Sequence, residues 1–285
     1  MGAIDPVAAT GRSHNPIGIF DSGVGGLSVW REVARELPGE SIVYFADQAH
    51  LPYGPRPAEE VRRFSEAIAG ELLGLGCKAI VVACNTASAA ALKHLRERHP
   101  GVAFVGMEPA VKPAALHSKS RVVGVMATPG TLQGRMFALA VERFAAGLTL
   151  VNQPCPGLVE LIENGELEGA RTESLLRELL KPMLGAGADT IVLACSHYPF
   201  VSPVIRKIAG DAVQIIDPAP AVARQLRRLL EQRGLAADSG KADHRFMTTG
   251  DPRAFRQTLQ QLLARDATIE ARTWREAQLV APSAG

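Results

Sequence analysis

One pattern occurs twice in this chain: an apolar run rich in β-branched residues that stops at a cysteine and turns polar at once. The first copy reads Cys77-Lys-Ala-Ile-Val-Val-Ala-Cys84-Asn85-Thr86 and the second Ala188-Asp-Thr-Ile-Val-Leu-Ala-Cys195-Ser196-His197. Runs of this kind are buried parallel strands, flanked by helices on both faces. Each thiol is therefore expected at the carboxyl end of a strand, the edge where open α/β sheets place their ligands. Two thiols delivered to one crevice point to acid–base chemistry on both faces of a small molecule.

The rest of the chain repeats the alternation. Short apolar runs, from Ile17–Phe20 to Arg245–Thr248, alternate with helical patterns, from Leu27–Leu37 to Pro252–Leu263. This rhythm predicts βαβ crossovers and the α/β class with parallel-rich sheets. The repeat also reaches past the cysteines. Glu108-Pro109-Ala110 follows the first and Asp217-Pro218-Ala219 the second, while Gly18-Ile-Phe-Asp21 and Gly124-Val-Met-Ala-Thr128 precede them. Two similar α/β halves related by a pseudo-twofold, with the site in the cleft between them, are the simplest architecture.

Composition removes several function classes. At 285 residues the chain can bury one large core or two modest ones. Its formal charge of +2 gives no reason to invoke nucleic acid or an anionic membrane surface. No apolar stretch approaches the roughly 20 residues of a membrane span, and Met1 to Asn15 lacks the apolar block of a secretory signal. The cytoplasm is the expected compartment. The four cysteines contain no CxxC pair, which argues against a disulfide framework and against a metal site; no metal and no cofactor are expected. Cys77 and Cys155 have bland surroundings and read as core residues.

Four segments carry the candidate chemistry. Asp21-Ser22-Gly23-Val24-Gly25-Gly26 opens a helix after the first strand, and free N–H groups there are expected to hold a substrate carboxylate. Ser28 stands where a dinucleotide fingerprint needs its third glycine. Tyr53 and Gly54, in the turn after Tyr44-Phe-Ala-Asp47, offer a hydroxyl and backbone donors. Cys84 sits at a helix start beside Asn85 and Thr86, where the dipole is expected to lower the thiol pKa. Cys195 has Ser196 and His197, and a nearby imidazole can polarise a thiol or a substrate oxygen. A nucleophilic hydrolase, a dithiol redox protein and a non-catalytic amino-acid-binding protein remain open on these residues alone, although a hydrolase needs only one nucleophile. No face announces an interface, so monomer and homodimer both stay open.

With Gly18-Ile-Phe-Asp21-Ser22-Gly23-Val-Gly25-Gly26-Leu, Tyr44-Phe-Ala-Asp47, Pro52-Tyr53-Gly54, Val82-Ala83-Cys84-Asn85-Thr86, Ala127-Thr128-x-x-Thr131 and Leu193-Ala194-Cys195-Ser196-His197-Tyr198-Pro199 in order, the sequence resembles the glutamate racemases of the cofactor-independent aspartate/glutamate racemase superfamily. The resemblance spans about Pro16 to Arg265. It implies a discontinuous first domain (residues 16–105 and 217–270) and a second (106–216), between a mobile extension (1–15) and a tail (271–285). It also implies interconversion of L- and D-glutamate, supplying D-glutamate for peptidoglycan. By the same resemblance Cys84 and Cys195 are the acid/base pair, helped by Asp21 and His197. Ser22, Tyr53, Gly54, Asn85, Thr86, Ser196 and His197 hold the substrate, and Asp47, Thr128, Thr131 and Glu163 stand behind them. Serine at 196 departs from the family's usual threonine. A sister enzyme acting on aspartate or another amino acid would share the cysteine pair.

Overall fold

The structure, a computed structural model, describes residues 13–237, 242–275 and 278–281. Residues 1–12 of the expected N-terminal extension lie outside the described residues. Ser13 is buried, and its carbonyl accepts from the Lys78 ammonium, which also pairs with buried Glu40 at 2.5 Å.

The apolar runs form two all-parallel sheets. The larger contains β1 (Ile17–Asp21), β2 (Ile42–Ala46), β3 (Ala79–Val82), β4 (Ala103–Gly106), β9 (His244–Thr248) and β10 (Ile269–Ala271), in the order β10-β9-β2-β1-β3-β4. The smaller contains β5 (Val122–Ala127), β6 (Thr149–Pro154), β7 (Thr190–Ala194) and β8 (Gln214–Ile216), in the order β6-β5-β7-β8. The repeat read in the sequence is thus a repeat of topology. In each half the first strand is flanked by the second on one side and the third on the other. Strand order reverses between β1 and β3, and again between β5 and β7, and each reversal opens a crevice at the carboxyl ends. Cys84 follows β3 and Cys195 follows β7.

Central strands are apolar on both faces because both faces are covered. Every residue of β1, β2, β3 and β7 is buried, whereas the edge strand β6 is half-exposed and more polar. Alternate residues of β1 and β2 feed different clusters. Ile17, Ile19, Ile42 and Tyr44 join Leu158, Met183, Ile191 and Leu193 of the other half in one continuous core. Phe20, Val43 and Phe45 pack under the helix Ala58–Gly74 with Ile68 and Leu72. Fully burying one such side chain stabilises by roughly 1.5–3 kcal/mol, so the shared core binds the halves strongly.

Several elements were not foreseen in the sequence, among them β10 and the one-turn helix Pro129–Leu132. The helices Val111–His117 and Leu158–Glu163 are too short for a helical period to stand out. Beyond residue 271, assigned above only as a tail, β11 (Thr273–Arg275) and β12 (Gln278–Val280) form an antiparallel hairpin that belongs to neither large sheet.

Candidate active site

Cys84 caps the helix Asn85–Arg98, and its Sγ accepts the Ala87 N–H at 3.5 Å. The expected lowering of its pKa is not found. Burial pushes the thiol well above its ordinary value, the nearby Asp21 charge pushes it further, and the Ala87 N–H only partly offsets them. A helix start favours a thiolate by its dipole, but complete removal from water penalises the charged form more.

The glycine turn also differs from expectation. Its N–H groups hold carboxylates of the protein itself. Gly26 N–H donates to Asp21 Oδ2 at 2.6 Å, and Val24 N–H donates to Glu163 Oε1 at 2.7 Å. The glycines make room: a Cβ at Gly23 would stand 2.0 Å from Glu163 Oε1, and one at Gly25 2.3 Å from His197 Nδ1. Residues of the second half therefore dock into the turn of the first.

Glu163, placed by sequence among the supporting residues, is the hub of that docking. His197 Nε2 lies 2.6 Å from its Oε1, and Gln48 Nε2 donates to Oε2 at 3.0 Å. The His197 Nδ1 faces Cys195 Sγ at 3.7 Å. Burial opposes charge on His197, but its contacts with Cys195 and Glu163 outweigh that and hold the imidazole well above its ordinary range. Glu163, against the same burial, is held below the usual carboxylate range, chiefly by His197.

Ser196 donates from Oγ to Asp21 Oδ2 at 3.3 Å, and its carbonyl accepts from Ser28 Oγ at 2.8 Å. Burial raises the Asp21 carboxyl, and the His197 charge restrains that rise. Thr86 Oγ1 meets Thr128 Oγ1 at 2.9 Å, Thr128 meets Thr131 at 3.0 Å, and Gly130 N–H donates to the Gly54 carbonyl at 3.1 Å. The Thr86–Thr128 and Gly130–Gly54 bonds close the cleft across the two halves.

At the centre lies a cavity of about 20 Å³, walled by both thiols with Ser22, Tyr53, Gly54, Asn85, Thr86, Thr128, Ser196 and His197. Its volume suits one water. Pro52, read in the sequence only as part of the Pro52-Tyr53-Gly54 turn, also lines it, as does Val159, which carried no signal in the sequence. Asp21, Asp47, Thr131 and Glu163 stand behind the wall. The Tyr53 hydroxyl, expected to face a ligand, donates instead to Asp47 Oδ2 at 2.6 Å. Asn85 does the reverse: it is buried, and neither Oδ1 nor Nδ2 has a partner. Buried amides rarely stay unpaired, so this one is set for something that enters the cavity. A larger void of about 1070 Å³ lies beside the chain crossings at Glu108 and Asp217, and neither thiol is in its wall. All four cysteines are free, and among the described residues no three metal-ligating side chains converge.

Two repeated α/β halves that close a thiol from each over one buried cavity define an enzyme of the racemase type. The chain belongs to the Asp/Glu/hydantoin racemase family, whose model matches residues 17–226. It is 49% identical over 255 residues to a glutamate racemase of Stutzerimonas stutzeri, covering 90% of this chain and 96% of that one. Among solved structures it resembles glutamate racemase isoform RacE1 of Bacillus anthracis, with a TM-score of 0.85 and 35% identity over 93% of this chain and 99% of the other. It also resembles the Francisella tularensis glutamate racemase in complex with D-glutamate, with a TM-score of 0.80 and 30% identity over 92% and 98%.

Proposed function

We propose that this enzyme interconverts L- and D-glutamate by moving the α-proton between Cys84 and Cys195. The observation that carries the reading is the pair of thiols in the wall of one small buried cavity, reached from corresponding strand ends of the two halves. The relatives' activity and the D-glutamate held by the Francisella enzyme support glutamate as the substrate.

One cysteine, as thiolate, takes the α-proton. The Cα–H electron pair stays on the substrate and delocalises into its carboxylate. The other cysteine, as thiol, gives its proton to the opposite face and is left as thiolate. A positioned acid or base contributes roughly 10²–10⁴-fold, so orientation and preorganised donors must supply the rest. Burial and the Asp21 carboxyl favour the thiol form of Cys84. A substrate ammonium beside it favours the thiolate, since an opposite charge at close range offsets burial. On the other side, protonated His197 holds a positive charge 3.7 Å from Cys195. Asn85, Thr86, Ser22 and Ser196 are the donors and acceptors for the charged ends of the substrate.

Glutamate is larger than a one-water cavity, so the bonds across its mouth loosen to admit it. Opening breaks Gly130–Gly54, Thr86–Thr128 and Val24–Glu163, and closure remakes them around the substrate. Closure also excludes water, which strengthens every charge interaction inside. The product D-glutamate supplies peptidoglycan synthesis, and the reading places the enzyme in the cytoplasm. Among the described residues no helix is long and apolar enough to cross a membrane.

The test is incubation with L-glutamate in heavy water without added cofactor, followed by chiral chromatography and mass spectrometry, with L-aspartate in parallel. D-glutamate carrying one α-deuterium is expected. Absence of D-glutamate, or faster turnover of aspartate, overturns the reading.

A further inference from the structure

The match to the family model ends at residue 226, so it gives no role to the hairpin β11–β12. That hairpin nevertheless reaches the loop that covers the cavity. Asp47, wholly buried, receives four contacts. Thr249 Oγ1 donates at 2.8 Å and Trp274 Nε1 at 2.7 Å to Oδ1, while Tyr53 OH at 2.6 Å and His50 Nδ1 at 2.9 Å meet Oδ2. The Trp274 ring also packs edge-on against His50, with centroids 4.9 Å apart, and against Phe64 at 5.6 Å; Phe64 in turn touches Tyr53. The root of the hairpin is tied down separately. Arg272 N–H donates to the Thr248 carbonyl at 2.8 Å, and its guanidinium donates to Glu71 at 2.7 Å.

We propose that Trp274 is a positioning residue for the substrate loop. Its indole N–H fixes Asp47, Asp47 fixes the Tyr53 hydroxyl, and the C-terminal hairpin thereby sets the closed position of Pro52-Tyr53-Gly54 over Cys84. The physical case rests on where the loop's polar tie lies: Tyr53 packs in the core, the His50 ring stacks on Phe64 and Arg56 Nε donates to the His50 carbonyl at 2.7 Å, but the Tyr53 hydroxyl itself is fixed by Asp47. The loop's own backbone bonds are few: Arg56 N–H to the Tyr53 carbonyl, a long Leu51 bond to Gln48, and the Gly130 bond that must break on opening. The Asp47 side chain joins the Tyr53 hydroxyl, His50, Thr249 and Trp274 at one point, so it is the polar node that couples the loop to the hairpin. The hairpin belongs to no large sheet, so the coupling runs both ways: the loop also holds the hairpin.

This inference rests on the proposed function only in taking the loop as part of a glutamate site. Two variants test it: W274F keeps an aromatic but smaller ring and removes the N–H, and Y53F removes only the hydroxyl at the far end of the relay. In amide hydrogen exchange without ligand, W274F should speed exchange at residues 51–56, and Y53F should speed exchange at 273–275 and 278–280. In racemisation, KM for glutamate should rise roughly tenfold in W274F while kcat changes less than about twofold, the pattern of a lost ground-state contact. The double variant should cost less than the sum of the singles, as it must when both break one relay. Unchanged exchange, an equal loss in kcat and KM terms, or strict additivity overturns the proposal. If W274F fails to fold, Y53F alone decides through the hairpin's exchange. If the wild-type enzyme does not racemise glutamate, the functional reading falls, and the exchange measurements still decide the coupling.

Discussion

The two thiols occupy equivalent places in two copies of one topology, yet their surroundings carry opposite character. Cys84 sits on a helix N-terminus with the Asp21 carboxyl beside it, and burial and that carboxyl both hold it as a thiol. Cys195 faces His197, whose charge is maintained by Glu163. The difference teaches that duplication of a fold supplies matched geometry and nothing about charge. Charge comes from residues brought in from elsewhere: Asp21 from the end of β1, Glu163 from a short helix, His197 from the turn after Cys195. A reaction that needs a base on one face and an acid on the other uses both facts.

The largest expected effect treats the two sides alike. C84A and C195A should each reduce racemisation below about a thousandth of wild type, the scale of a lost general acid or base, with thermal unfolding little changed. Appreciable racemisation by either variant, read by chiral chromatography, breaks the two-thiol comparison. Next, H197N removes the cationic neighbour of Cys195 only, and kcat should fall about 100-fold. An equal fall without any change in the pH profile would mean that the imidazole acts through packing alone.

A third experiment sets the sides against each other. D21N removes the charge that raises Cys84, so alkylation of Cys84 near neutral pH should quicken about tenfold per unit of pKa recovered, while racemisation falls. Peptide mapping after iodoacetamide treatment reads this. Slower alkylation at Cys84 would reverse the sign assigned to Asp21.

The smallest effect is on stability. His197 is raised in the folded state, so its contribution is full at low pH and is lost as pH rises through the folded value. Glu163 is lowered, so its contribution is full above the ordinary carboxylate range and is lost as pH falls through the folded value. Wild-type stability should therefore form a plateau between those two limits. E163Q should lower the plateau by about 1–3 kcal/mol, remove the acid-side loss and bring the base-side loss to lower pH. Thermal unfolding from pH 3 to 10 checks it, and an unchanged profile would show that the pair carries no linkage.

Much of the site was legible because strands have short periods and sharp ends. Cys84, Asn85, Thr86, Cys195, Ser196 and His197 stand immediately after buried strands, and a residue's place along its own strand is a local property. The misreadings share one cause. The glycine turn was expected to cradle a substrate anion, but it receives Glu163, which lies 139 positions away from Val24 in the chain. The Tyr53 hydroxyl was read as a donor to a ligand, and its proton goes to Asp47. A lowered Cys84 pKa was expected from the helix start, but burial from all sides reverses it. No sequence signal marks Trp274, because a hydrogen bond 227 positions long leaves no trace in spacing.

Class, the repeat of strand and helix, and the two thiols at strand ends follow from residue types and their periods, which act over a few neighbours. Which carboxylate meets which helix start, how far each thiol is removed from water, and what anchors the loop over the cavity depend on how the two halves close. Those are long-range terms, set by the summed packing of both sheets and not by any single stretch of chain.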